Sequence, residues 1–343
     1  MLFRSQVIAT TVQLWLGRRV RRGRDALARP VRRSRRWAGA LGLAVVVFAA
    51  GGLTIALAQN RGGQSQSGHP APGSGGGRAH TTRSSNPVQL SPAALQAAAR
   101  NRQHAAAWIT AQVSHAAIVA CDPVMCQALT AAGYPAGDLL TLGPSATDPM
   151  GAQIVVDTTV LRNQLGSKLP SVYAPVVIAG FGTGASRVDV RVEAPDGAAA
   201  YAVSRAADLL AREQAGRQLL GGHGLHLAAA ARRAIAAGDV DSRLLVTLVA
   251  LIGQRYPIYV YRFGDVSPGA TPGLPMRMMR IAALVQRGQH ASSYLHAVLH
   301  FLASQQPPYR ASVRVLHLPG VKTSIQIEFA APSPLGLLAH TQK

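Results

Sequence analysis

Residues 115–143 read HAAIVACDPVMCQALTAAGYPAGDLLTLG. The apolar run from Ala116 to Cys121 has the length and composition of a buried strand, and it stops at Asp122-Pro123. An aspartate followed by proline starts a helix. The carboxylate accepts the free amides of the first turn, while proline has no amide to leave unsatisfied and a φ that is already helical. Gly133 stops that helix, and Asp138 to Leu142 return to an apolar strand. Strand, helix and strand in succession predict a β-α-β unit, and with it an α/β (or α+β) domain in which a mixed sheet is flanked by helices.

The same reading extends downstream. Gln153 to Asp157 is another apolar strand, with Thr158 or Thr159 opening a short helix that ends near Gly166. Pro175 to Ala179 and Arg187 to Glu193 are further strands. In the latter, Val188, Val190 and Val192 alternate with Arg187, Asp189, Arg191 and Glu193, which predicts a sheet with one buried and one wet face. Helices are expected at about 197–216 and 225–237, and a third from Asp241, where Leu244, Leu245, Leu248, Val249 and Ile252 recur at helical spacing. Ile258 to Phe263 and Met276 to Ala283 read as strands and Ser292 to Ser304 as a helix. Arg310 to His317 and Ser324 to Phe329 form a closing hairpin around Pro319-Gly320. The GGHG at 221–224 is the best place for a subdivision of this domain.

Upstream, Ser91 followed by Pro92 is a second helix start of the same kind, and that helix should run to about Val113. Residues 59–90 are rich in Gly, Ser, Pro and Gln and nearly free of large apolar groups, the composition of a disordered linker. Before it, WAGALGLAVVVFAAGGLTIALA at 37–58 is 22 residues without a charge. A helix of that length, at about 1.5 Å per residue, covers the roughly 30 Å hydrocarbon core of a bilayer. Residues 1–36 carry eleven arginines against Asp25. By the positive-inside rule this Arg-rich tail stays in the cytoplasm and everything after Gln59 is exported. Ala56-Leu57-Ala58 has the form of a signal-peptidase site and Ser34-Arg35-Arg36 that of a twin-arginine signal. The apolar run is longer than a signal h-region, however, so an uncleaved single-pass anchor is expected.

The net charge of +21 invites a nucleic-acid reading, but its distribution argues against one. About half of the excess lies in the topogenic tail, and from Ser91 onward the remainder is thinly spread without an aromatic-interleaved basic run. The expected partners are therefore the membrane and an envelope protein or wall component, with no nucleic acid.

Cys121 and Cys126 are the only cysteines. With Asp122 as the cap they occupy the residue before it and the fourth helical position, which meet in a hydrophobic staple. In an exported, oxidising setting they read as a structural disulfide. A redox pair is the alternative, since a helix N-terminus lowers a thiol pKa, although the spacing is C-x4-C. Two reduced packing cysteines are the third reading.

Other constellations offer less. Gly180-Phe181-Gly182-Thr183-Gly184 follows a strand, but a dinucleotide-binding loop must open a helix and here a strand follows, so a hairpin connection is expected. No cofactor is implied. His296 and His300 are one turn apart on a predicted helix, a spacing that can place two imidazoles on one metal ion. The segment is HAVLH, with alanine where a zinc peptidase has its general-base glutamate, so they read as helix-flank histidines and no metal site is assigned. His223 and His226 lie at a glycine-rich turn, and Asp239 and Asp241 read as capping acids. No G-x-S-x-G elbow occurs, and no catalytic residue is assigned.

The strings CDPVMCQAL, GDVDSRLLVTLVAL, IYVYRFGD and IEFAAPSPLGLL resemble those of actinobacterial single-pass membrane-anchored proteins of unassigned function, over roughly residues 105–335. That resemblance implies an envelope location and no activity. The stretch from Val240 to Ala283 is also similar to the helix-strand segment of D-alanyl-D-alanine carboxypeptidase-like zinc enzymes, whose metal-binding His and Asp follow the strand. PMRMMRIAAL supplies neither, so this second resemblance implies a non-catalytic relative.

The leading expectation is thus a non-enzymatic envelope protein whose exported domain binds a partner, a wall component or a small ligand. The alternative is an envelope hydrolase, whose titratable groups would come from Asp157, Asp265, His296 or His300.

Overall fold

Helix α1 (Pro92–Gln112) starts as its sequence predicts: Ser91 Oγ accepts the Ala94 amide at 3.2 Å, and Pro92 takes the first helical position. The computed structural model describes residues 91–144, 146–254, 258–264, 267–283, 291–318 and 321–338. The expected tail (1–36), span (37–58) and linker (59–90) lie outside the described residues, as do the hairpin turn at 319–320 and Asp265. Among the described residues no helix is long and apolar enough to cross a membrane.

The predicted β-α-β unit is strand β1 (Val119–Cys121), helix α2 (Pro123–Ala131) and strand β2 (Leu139–Thr141), with β1 and β2 parallel. Strand β3 (Ile154–Asp157), helix α3 (Thr159–Leu165), strand β4 (Val176–Phe181) and strand β5 (Val188–Val192) complete a mixed sheet of order β2-β1-β3-β5-β4. β3 runs parallel to β1 on the side away from β2, while β5 is antiparallel to both of its neighbours. Val119, Cys121, Ile154, Val156, Val188 and Val190 point to the face that packs on α1 and α2. Ala120 and Val155 point to the other face, where Leu161 and Leu165 of α3 cover them.

Helix α4 (Gly197–Leu220) then carries the chain into a second mixed sheet, where the sequence reading expected one. This sheet comprises β6 (Leu225–Leu227), β7 (Ile258–Gly264), β8 (Met278–Ala283), β9 (Ser312–Leu318) and β10 (Val321–Glu328), in the order β6-β7-β8-β10-β9. Only β6 and β7 are parallel. Residues 225–227, expected to begin a helix, form the edge strand β6: Gly224 turns the chain at φ 90°, and Leu225 and Leu227 pair with Ile258 and Val260. The helical stretch begins at α5 (Ala229–Ala236).

Helix α6 (Ser242–Gly253) is the center of the second core, with Leu244, Leu245, Leu248 and Leu251 at most 2% exposed. Each such burial contributes about 2 kcal/mol before chain entropy is counted. Helix α7 (Ala291–Ala303) adds Tyr294, Leu295, Val298 and Leu302.

Among the described residues, hydrogen bonds join the two sheets at three places. The Ala331 amide donates to Gln112 O (2.7 Å), carrying the C-terminal segment back beside α1. The loop after β7 runs along β4, with the Gly180 amide donating to Pro268 O (2.7 Å) and the Thr271 amide to Val177 O (2.9 Å). A Cβ on Gly269, which turns at φ 60°, would stand 3.1 Å from Gly180 O, so glycine there admits this close approach. Finally, buried Arg277 donates to Phe329 O (2.7 Å), Ser267 Oγ (3.2 Å) and Gln112 Oε1 (3.3 Å).

Candidate functional site

After β1 the chain passes to one face of the first sheet through α2, and after β3 it passes to the other face through α3. The two connections diverge, leaving a crevice beyond the carboxyl ends of adjacent parallel strands. Open α/β sheets bind ligands at such a switch point. A cavity of about 600 Å³ lies there, within the range of small-molecule sites. Its walls take Leu95 and Ala98 from α1, Val124 from α2, Val160 from α3 and Val188 from β5. Leu95, Val124 and Val160 are 54%, 52% and 56% exposed, so three large apolar side chains that no core covers converge on one cavity.

The polar groups around it are largely committed to one another. Asp122 caps α2, its Oδ1 accepting the Val124 and Met125 amides (3.0 and 3.1 Å) while its Oδ2 accepts the Thr158 hydroxyl at 2.5 Å. Thr159 Oγ1 donates to Ala185 O. Asn101 Nδ2 donates to Ser186 O (2.9 Å) and Ser186 Oγ (3.2 Å), and that hydroxyl donates to Thr183 O (3.3 Å). Arg187 Nε donates to Asp189 Oδ1 at 2.7 Å. The loop carrying Ala185 and Ser186 is therefore fastened to both α1 and α3, and the cavity wall is preformed. Arg102, half-buried and one helical turn beyond Ala98, has no hydrogen-bonded or ion-paired partner among the described residues.

Cys121 and Cys126 are joined, with Cα atoms 5.4 Å apart. The disulfide ties the end of β1 to the first turn of α2 on either side of the capping Asp122, as the staple positions predict. Both cysteines are buried.

Of the titratable residues named from the sequence, the described ones, Asp157, His296 and His300, do not assemble. Asp157 is 1% exposed at the end of β3, and it does not line the cavity. It faces Asp189 across the ladder, with Arg191 Nε donating to its Oδ2 at 2.7 Å and Arg162 Nε 3.7 Å from its Oδ1. Burial pushes its carboxyl above the usual range; Arg191 and Arg162 oppose the rise and Asp189 adds to it. The face of β5 expected to be wet thus carries a largely buried ion network. The alternation of the strand was legible, whereas its covering by α3 was not.

His296 and His300 are exposed positions on α7, which packs on the second sheet, away from Asp157 on the first. His223 and His226 are also exposed. Among the described residues no group of three His, Cys, Asp or Glu side chains could hold a metal ion. Gly180 and Phe181 end β4, and Gly182 to Gly184 begin its connection to antiparallel β5, as in a hairpin. Asp241 caps α6, accepting the Arg243 amide at 2.8 Å, while Asp239 is exposed just before it.

A smaller cavity, about 280 Å³, lies where α4 meets the 331–335 segment. Its buried charges are structural: Asp208 accepts Arg212 Nε (2.8 Å) and the Gly336 amide (3.0 Å), and Arg277 holds the two sheets together. Sequence reading named none of Leu95, Arg102, Val124 and Val160. The faint signal is an outward-facing valine in the first turn of both α2 and α3, which gains meaning only when β3 is known to pair with β1.

The fold and its crevice define an α/β protein with two mixed sheets, flanked by helices, and a ligand-sized opening at a switch point. No family model, curated protein or solved structure matches the chain.

Proposed function

We propose that this is a single-pass, membrane-anchored cell-envelope protein whose extracytoplasmic domain binds a ligand in the crevice beyond β1 and β3 without transforming it. The observation that carries the binding reading is the convergence of Leu95, Val124 and Val160, each about half exposed, on a preformed cavity at the switch point. The non-catalytic reading rests on Asp122. Among the described residues it is the one acid lining the crevice, and both of its oxygens accept bonds from the fold. A general base must lie within hydrogen-bond reach of the proton it takes, and this carboxylate is 1% exposed with three of its four lone pairs occupied. The envelope location is supported by the uncharged stretch at 37–58 with its Arg-rich flank, by the disulfide, which suits an oxidising compartment, and by the resemblance to actinobacterial anchored proteins.

The test uses the full-length chain in neutral-lipid nanodiscs, screened by thermal shift against wall fragments, polysaccharides and small organic acids. A ligand that favours the native state raises its apparent stability. At least one class should raise the midpoint of the wild type and not that of Ala98→Phe, which fills the cavity. Equal shifts in both proteins, or no shift with any class, would remove the crevice as the site. Topology is checked separately: an N-terminal tag should remain on the membrane-bound chain and be protected from external protease.

A further inference from the structure

We infer that the crevice selects an amphipathic anion, a molecule with an apolar body and one carboxylate or phosphate group held by Arg102. This rests on the binding reading above and adds the chemistry of the ligand. A ligand can use only what the fold has left uncommitted. The crevice carboxylate is consumed as a helix cap and hydroxyl acceptor. The first-turn amides of α2 at Val124 and Met125, which could otherwise receive an anion, already donate to that carboxylate. The hydroxyls of Thr158, Thr159 and Ser186 donate to protein acceptors. Arg187 is paired through Nε with Asp189.

What remains to meet a charged ligand is apolar wall, the guanidinium of Arg102, unpaired among the described residues, and the terminal nitrogens of Arg187, whose charge Asp189 already offsets. A polysaccharide presents many hydroxyls, and buried hydroxyls without partners are costly, so this lining disfavours one. A cation would meet Arg102 with no free acid nearby. An anion gains a charge-assisted, bidentate contact.

The geometry also sets an approximate length. Leu95, Ala98 and Arg102 lie on one stripe of α1, and seven residues of helix separate the apolar end from the charged end by about 10 Å. The extended chain of octanoate is of comparable length. The source could be a soluble acid or a lipid of the bilayer, since both present the same chemistry.

The test is isothermal titration of the full-length chain in phosphatidylcholine nanodiscs, against empty nanodiscs, with octanoate, octanol and octylammonium. Octanoate is expected to bind at least tenfold more tightly than octylammonium, with octanol between them. Arg102→Gln should bring the three to within about threefold of one another, the loss falling on octanoate, as expected when one charge-assisted contact is removed. Doping the nanodisc with phosphatidylglycerol should displace octanoate if the bilayer supplies the ligand, and leave it bound if the ligand is a soluble acid. Equal binding of all three probes to the wild type, or octanoate binding unchanged by Arg102→Gln, would overturn the charge assignment while leaving the crevice as a site. Binding unaffected by Ala98→Phe would instead sink the binding reading itself.

Discussion

Arg191 shows how a single side chain can set the cost of a sheet. It lies between Asp157 and Asp189, which face each other across β3 and β5 (2.7 Å to the first, 3.6 Å to the second), and also donates to Ala174 O at 3.2 Å. Arg191→Met should destabilise the fold at neutral pH by roughly 3–5 kcal/mol, because two buried carboxylates lose their shared cation. The sign of its pH dependence follows from the raised Asp157 carboxyl. Ionising a group whose folded pKa lies above its unfolded value costs stability, and that cost vanishes once both states are protonated. Denaturant titrations should therefore show the Arg191→Met deficit shrinking as pH falls to about 4 and below. Asp241 behaves in the opposite way. Burial alone would raise its carboxyl, but the bonds from Arg243 (2.7 Å to Oδ2) hold it below the usual range. Its contribution is present above about pH 3.9 and is lost as pH falls through the lower folded value. Asp241→Asn, although destabilised at neutral pH, should flatten the acid side of the stability profile, and an unchanged slope would contradict this account.

At the scale of elements, the helices that open on a capping residue and proline were the most legible parts of the chain. Ser91-Pro92 and Asp122-Pro123 start α1 and α2 in the predicted register, because a cap is a local device that needs no tertiary partner. Strand pairing was less legible. Leu225 to Leu227 form β6 because Ile258 to Val260 lie beside them, information that sits more than thirty residues away in the chain. The same holds for the crevice: Val124 and Val160 look like ordinary first-turn residues until β3 is placed against β1. The disulfide belongs to this scale, since it clamps a strand to the helix that follows. Its loop is short, so breaking it by Cys121→Ser with Cys126→Ser should cost about 2 kcal/mol in the chain-entropy picture. Urea denaturation of oxidised protein and double variant measures this. A loss near zero would mean that packing at the end of β1 holds α2 without the bond.

For the whole molecule, two sheets with separate apolar cores are held together by a few polar ties. The composition and the alternating segments pointed to an α/β domain with a mixed sheet. They could not reveal that the strands after α4 form a second sheet, since periodicity reports which face is buried and not which strands are neighbours. Arg277 is the tie most exposed to test. Arg277→Met leaves the Phe329 carbonyl and its other acceptors without their donor, which should cost about 3 kcal/mol. Calorimetry should show one transition for the wild type and a lowered or split one for the variant; an unaltered midpoint would mean that the sheets hold together without it. The described residues lining the crevice beyond β1 and β3 all belong to the first sheet, its connections and its flanking helices, so ligand binding should survive that substitution. The most direct test of the crevice as the binding site is methyl NMR of the Leu- and Val-labelled full-length chain in nanodiscs, titrated with octanoate. The methyls of Leu95, Val124, Val160 and Val188 should shift together along one saturable curve, while those of Leu209 and Leu335 at the smaller cavity stay in place. Shifts confined to Leu209 and Leu335, or absent from the first group at saturating octanoate, would contradict the account.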